Sequence, residues 1–457
     1  MKKLALIIAV LFVISCKNQP PVDYALVKGT ITNYPESKVY FGEKEIKVAD
    51  NGMFSDTLRF ENGKYKFQDP KHRLDLYVEN GFDLTINYDY VDYDNTFTLT
   101  GKGVDEYNYE IEKAKAIAEI DEEGKDVYKL EEADYKAKFD AFRALLNNKV
   151  NALPNSSQTF KTNQEKANTY YYIRKLEKFQ KMHGHYAEKP GFKVSESFDK
   201  VVNDEKAALD YDNEYDFLNS KDYNALVTNY YVTKSIEENK SDTSSSWKID
   251  LLNVLETIKS EKIRNALAYK AAKDDIKFVT DIDAYYNKFM EISTNEYHKK
   301  RVTSLYNKQL IIAKGAPSPK FVDYQNVKGG TSSLDDFKGK YIYIDVWATW
   351  CGPCKEEIPY LKEVEKKYHN KNIEFVSISI DKDKDKEKWA KMVKDLKLSG
   401  VQLRADKDFK SKFVKDYLIN GIPRFILINP NGEIVKSIAP RPSSGEKLIE
   451  LFNSEGI

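Results

Sequence analysis

Two cysteines separated by two residues, Cys351 and Cys354 in the stretch "WATWCGPCKEE", are the side chains best suited to chemistry in this chain. Thiols at this spacing have three uses. A structural zinc site needs about four ligands, whereas the chain offers no second Cys-x-x-Cys and only five scattered histidines. No metal is therefore expected. An inert disulfide across two intervening residues closes too small a loop to stabilise much. A working redox pair fits the spacing better, with one thiol attacking and the other resolving.

The elements around the pair support that reading. "YIYIDVWA" (residues 341–348) is a buried-strand run, and Cys351 follows it at the start of a helix. Free backbone N–H groups and the helix dipole stabilise a thiolate there. The second thiol, one helical turn on, can reach the first. "IEFVSISI" (373–380) and "RFILIN" (424–429) are further buried strands, and Asn431-Gly432 turns the last into a hairpin. Ser443 and Glu446 suggest a capping box before a C-terminal helix with Leu448, Leu451 and Phe452 on its apolar face.

"DVWATWCGPCK" resembles the active-site strand and helix of the thioredoxin superfamily. From Gly315 onward the frame, with "LDDFKGKYIYIDVWATWCGPCKEEIPYL", looks like the TlpA/ResA-type envelope thiol–disulfide oxidoreductases. The resemblance implies Cys351 as the attacking cysteine and Cys354 as the resolving one. It implies Asp345 as a buried acid of raised pKa that takes a proton from Cys354. Pro423 in "NGIPRF" would be a cis-proline beside the cysteines, turning the backbone of Ile422 outward to pair with substrate. Pro359 matches the proline that kinks the active-site helix. Trp350, with Trp347, would cover the motif and meet substrate. Where thioredoxin has a lysine beside the buried acid, alignment by eye places Ser377.

Under this resemblance the cofactor is none beyond a redox-active Cys351–Cys354 disulfide, and the substrates are protein disulfides. Gly352-Pro353 is also thioredoxin's intervening pair, which points to a reductase near its potential of about −270 mV. A reductase in an oxidising compartment needs an electron donor, and the family implies one in the membrane. A ligand- or partner-binding lipoprotein with the thioredoxin fold as scaffold is the alternative, as is a disulfide oxidase or isomerase. A peroxidatic site wants threonine three residues before its cysteine, and that position is Ala348.

The N-terminus bears on the compartment. Lys2 and Lys3 precede an apolar run, residues 4–14, too short for the ~20 residues that span a bilayer. It reads as a signal-peptide core, and "VISC" resembles a bacterial lipobox ending at Cys16. Lipid on Cys16 would anchor the protein in the cell envelope, facing the periplasm, with the outer membrane the expected one. It would also leave Cys351 and Cys354 as the sole thiols of the three cysteines.

The remaining chain carries no evident chemistry. Basic and acidic residues number 72 each, which removes the electrostatic case for a nucleic-acid partner. The fold class read from pattern is multidomain: residues 1–16 leader, 22–103 an antiparallel, sandwich-like β-module, 104–313 a helical region, 315–457 an α/β thioredoxin fold. In the β-module, Asn51-Gly52, Asn62-Gly63 and Asn80-Gly81 signal hairpins. In the helical region, Tyr135, Phe139, Phe142, Leu146 and Val150 share one face, as do Leu251, Val254, Leu255 and Ile258. The tyrosine-rich run 169–179 reads as aromatic core. "HGH" (183–185) reads as surface, residues 240–246 as a polar loop, and "DKDKDKEK" (381–388) as a solvated loop without the glycine and glutamate of a calcium loop.

Overall fold

A computed structural model of the chain describes residues 22–239, 247–279 and 281–457. The lipobox cysteine Cys16 and the polar stretch 240–246 lie outside the described residues. The chain is multidomain, with two compact units, Met1–Lys234 and Ser235–Ile457. Among the described residues no helix is long and apolar enough to cross a membrane.

The first unit begins with eight strands: β1 (Ala25–Thr32), β2 (Lys38–Phe41), β3 (Lys44–Lys47), β4 (Met53–Leu58), β5 (Gly63–Gln68), β6 (Arg73–Val78), β7 (Asp83–Asp89) and β8 (Thr98–Lys102). They form two four-stranded sheets, ordered β4-β1-β7-β8 and β3-β2-β5-β6. Of the hairpins expected here, Asn51-Gly52 closes a short antiparallel turn bridged at Val48 and Phe54, but none joins two strands of one sheet. Asn51-Gly52 and Asn80-Gly81 lie between strands of different sheets, and Gly63 opens β5, whose predecessor β4 is in the other sheet. Gly52 and Gly81 have the positive φ such turns need, 80° and 84°. The turn chemistry thus acts as foreseen, but the chain leaves each turn toward the facing sheet, so that both apolar faces close on one core. Nor is pairing wholly antiparallel: β1 runs parallel to β7. Gly29 sits in that pair, where a Cβ would fall 1.7 Å from the Ile86 carbonyl oxygen.

Helices follow from Val104 to Glu238, several opened by serine caps such as Ser157 and Ser195. Tyr135, Phe139, Leu146 and Val150 are buried and Phe142 is half-buried, as their shared face requires. Tyr170, Tyr171 and Tyr172 are also buried, so the tyrosine-rich run is core. His183 corrects the surface reading of "HGH": it is buried within the helix Gln158–Tyr186. Its Nδ1 lies 2.9 Å from the Tyr128 carbonyl oxygen, and Phe179 and Phe192 flank its ring.

In the second unit, four helices precede the sheet: Trp247–Glu256, Glu261–Asp275, Ile282–Ile292 and Glu296–Leu310. The seven-stranded sheet takes the order β10-β9-β13-β12-β11-β14-β15. Its strands are β9 (Tyr324–Asn326), β10 (Thr331–Ser332), β11 (Tyr341–Trp347), β12 (Ile373–Ser379), β13 (Val401–Arg404), β14 (Arg424–Ile428) and β15 (Ile434–Lys436). Central β11 pairs parallel with β12 and antiparallel with β14. Buried on both faces, it reads as a continuous apolar run broken only by Asp345. Asn431-Gly432 does make the β14–β15 hairpin, with Gly432 at φ 84°.

The capping box at Ser443 and Glu446 is absent. Gly445 occupies the cap position of the last helix, and Ser443 instead donates from its N–H and Oγ to Glu357.

Gly29→Ala should destabilise the first unit by about 3 kcal/mol, because the new methyl meets backbone rather than a side chain that can rotate away. Urea unfolding followed by tyrosine fluorescence checks this; an unchanged midpoint would show that β1 and β7 pair less closely.

Candidate active site

β11 ends at Trp347, and four residues later Cys351 caps the helix Gly352–Tyr368, with Pro353 in its first turn and Pro359 inside it. Proline suits that first turn because it lacks an N–H that would go unpaired there. Cys351 and Cys354 are joined in a disulfide, with Cα atoms 5.3 Å apart. The Cys354 N–H points at Cys351 Sγ, 3.2 Å away. The sulfur of Cys351 therefore sits where free N–H groups and the helix dipole favour negative charge. Around Gly352 there is open space, so packing does not explain that glycine.

The turn before Cys351 is held by a buried carboxylate. Asp381 accepts from the Thr349 N–H (2.9 Å), from Thr349 Oγ1 (2.8 Å) and from Ser379 Oγ (2.7 Å). The solvated-loop reading of residues 381–388 is thus wrong at its first residue, which is fully buried. A charged side chain survives burial only when its lone pairs are filled, and here the loop bearing the nucleophile fills them.

Asp345 lies opposite Ser377 on β12 and Phe425 on β14. Neither of these flanking residues is a cation. Its Oδ1 is buried without a hydrogen-bond partner. Burial raises its pKa to about 8, and the carboxylates of Glu357 and Glu365, both on the active-site helix, push the same way. Glu357 is a residue that sequence reasoning missed. It is buried three positions after Cys354, tied to Ser443, with Arg441 Nη1 4.0 Å from its Oε1. A glutamate near a helix start ordinarily faces solvent, and nothing in its spacing signals otherwise.

The remaining residues converge from a distance in sequence. The Ile422–Pro423 peptide bond is cis. The Ile422 carbonyl oxygen lies 3.8 Å from Cys351 Sγ, just before β14 begins. Trp347 is core, whereas Trp350 is 54% exposed, with its ring 6.4 Å from that of Phe409.

A disulfide at a helix N-terminus after a central strand, an unpartnered buried acid on that strand, and a cis-proline loop against the sulfur define a thioredoxin-fold redox domain. The Redoxin family model matches residues 313–449. The thiol-disulfide oxidoreductase ResA of Bacillus subtilis is 30% identical over 127 residues, which span 28% of this chain and 68% of that protein. ResA of Bacillus thuringiensis subsp. konkukian is 31% identical over 124 residues, 27% of this chain and 68% of the relative. Among solved structures, the thioredoxin domain of a Bacteroides vulgatus thiol-disulfide oxidoreductase is 31% identical, covering 31% of this chain and 97% of that one at a TM-score of 0.28. A thiol-disulfide oxidoreductase from Bacteroides fragilis NCTC 9343 is 33% identical, covering 30% and 98%, at 0.26. The chain belongs to the thioredoxin superfamily and, within it, to the TlpA/ResA-like thiol–disulfide oxidoreductases.

The raised pKa of Asp345 has a consequence for stability. Its carboxyl is held neutral in the folded protein up to about pH 8 but ionises near 3.8 when exposed. The folded state therefore binds the extra proton, and this contribution is lost as pH rises from the lower value through the upper one. Asp345→Asn removes the effect. The variant should gain thermal stability relative to wild type steadily between about pH 4 and about pH 8. A pH-independent difference in melting temperature would mean that Asp345 is already ionised in the fold.

Proposed function

We propose that this protein is a reductase of protein disulfides that works from the cell envelope. The observation that carries the reading is the Cys351–Cys354 pair at the helix start, with Asp345 buried unpartnered on the strand behind it. Cys351 thiolate attacks one sulfur of a substrate disulfide. A mixed disulfide forms and the second substrate sulfur leaves as a thiolate. Asp345, through the fraction ionised near its raised pKa, then accepts the Cys354 proton, and Cys354 attacks Cys351 Sγ. The mixed disulfide breaks, the substrate is released with two electrons gained, and Cys351–Cys354 is left as the disulfide.

Asp345 suits its part because burial brings its affinity for a proton near neutral pH, where a general base is most effective. Ile422, beside Cys351 Sγ and ahead of the β14 ladder, supplies a backbone edge on which an extended substrate can pair. Trp350 offers an exposed aromatic face next to that edge. Gly352 and Pro353 keep the potential in the thioredoxin range, about −270 mV. Cys16 carries the lipid that holds the protein to the envelope membrane, the outer one, facing the periplasm. Electrons come from a membrane donor of the thiol-transporter kind, since the surroundings oxidise thiols.

The trapping experiment tests the exchange step. Cys354→Ser protein should accumulate covalent adducts through Cys351 in envelope extracts, visible as bands that dithiothreitol removes. If Cys354→Ser yields no more adduct than Cys351→Ser, the exchange reading is wrong. Equilibration of the wild-type protein with glutathione or thioredoxin gives the direction: a potential near about −270 mV supports a reductase. One nearer about −120 mV would mark an oxidase instead.

A further inference from the structure

Within the second unit lies a cleft of about 520 Å³, bounded by the helices Glu261–Asp275 and Glu296–Leu310 and by the segment leading into the cis-proline. Its charged lining is of one sign: Lys273, Lys277, Lys308, Lys415 and Arg424, with no aspartate or glutamate. Among the described residues none of the five is ion-paired to a carboxylate. The four lysines are exposed, while Arg424 is half-buried. Arg424 bonds the Ser437 carbonyl oxygen, at 3.4 Å, and burial draws its pKa down. A guanidinium partly removed from water is unfavourable unless an acceptor or anion joins it. The chain as a whole is neutral, so this is a local concentration of charge.

The position of the cleft says what kind of anion. Arg424 directly follows Pro423, and Ile419 and Asn420 precede the same loop, so the cleft is lined by residues on both sides of the cis-proline turn whose Ile422 carbonyl faces Cys351. Phe409 lines this cleft and also the neighbouring one that holds Trp350. Phe409 thus links the basic cleft to Trp350, the residue directly before Cys351. Apolar side chains, Leu305, Ile312 and Ile419, share the lining, which suits a polypeptide better than an inorganic ion.

We propose that this cleft is a specificity subsite for an acidic segment of the disulfide-bearing polypeptide, adjoining the cysteine that Cys351 attacks. The proposal rests on the reductase reading above. The subsite attracts carboxylates over a distance, orders the encounter, and leaves chemistry to the cysteine pair.

The test uses the full chain, pre-reduced, in single-turnover reactions with two disulfide peptides. One carries aspartates and glutamates beside the cystine; the other has serines and glutamines in their place. The acidic peptide should react with a second-order rate constant about tenfold larger at low salt, and the advantage should vanish near about 0.5 M salt. Lys273→Glu/Lys308→Glu should bring the ratio to one or below, with Lys273→Gln/Lys308→Gln intermediate. Equal rates at low salt, or a ratio that the substitutions leave unmoved, overturn the subsite.

A binding arm separates this failure from failure of the reductase reading. Anisotropy with a fluorescent, cysteine-free acidic peptide reports the cleft alone. Salt-sensitive binding without reduction of either peptide keeps the subsite and removes the reductase. Reduction of both peptides at one rate, with no such binding, does the reverse. Phosphatidylglycerol vesicles that bind through these lysines while the peptide does not would assign the cleft to a membrane surface and overturn the proposal.

Discussion

The second unit is organised around one unfavourable interaction, the burial of the Asp345 carboxyl at the centre of its middle strand. Neighbouring strands bring Ser377 and Phe425 alongside it, and neither can neutralise a charge. The helix above adds Glu357 and Glu365, which make the anion less favourable still. Hydrophobic burial must offset this. Tyr343, Leu361, Phe375, Phe425 and Phe452 form the core on the side of the sheet that Asp345 shares with Tyr343 by strand alternation. An acid kept dry by that packing exchanges its proton near about pH 8 rather than near 3.8, which brings it into the range where a thiol titrates.

A second constraint fixes the nucleophile. A helix start is useful to a thiolate only if the cysteine is held at the cap, and the chain between β11 and the helix has few residues with which to hold it. Asp381 supplies the hold from outside the motif, bonding Thr349 by both backbone and side chain. Since Asp381 follows β12, the strand that pairs with β11, the anchor and the nucleophile's loop are placed by the same sheet register. The two buried aspartates differ in their partners. Asp381 has its oxygens filled by donors, whereas Asp345 has one oxygen that meets none.

Much of this was legible in the sequence because it depends on local chemistry. Cys-x-x-Cys after an apolar run gives strand, cap and helix without tertiary knowledge, whereas the cis-proline at Pro423 was implied by the family resemblance. Ser377 beside Asp345 was read by aligning the chain to the thioredoxin pattern, and the β11–β12 register places it there. What could not be read depends on which surfaces meet. Asn-Gly at residues 51–52 and 80–81 dictates a tight turn but not whether the next strand joins the same sheet. His183 looks like a polar surface residue until the Tyr128 carbonyl receives its ring. Ser443 had the pattern of a helix cap, yet the buried Glu357 outcompetes the helix terminus for its donors. Asp381 opened a charged run, and only the incoming Thr349 makes it a buried acceptor.

The cysteine motif can make a protein an exchanger of disulfides, but it does little to choose among them. Every cystine presents the same two sulfurs, so discrimination has to come from groups that contact the polypeptide around them. In this chain the groups placed to do so lie outside the cysteine pair: the edge at Ile422, the exposed ring of Trp350, and the residues reached past Phe409. Part of that surface comes from helices that precede the redox fold, since Lys273 and Lys308 belong to them and Arg424 to β14. A redox domain matching its family only from residue 313 can thus gain a selectivity that those residues do not encode alone. The helices of the second unit are then more than a spacer, because they supply Lys273 and Lys308 to the basic cleft that Phe409 and Arg424 also line.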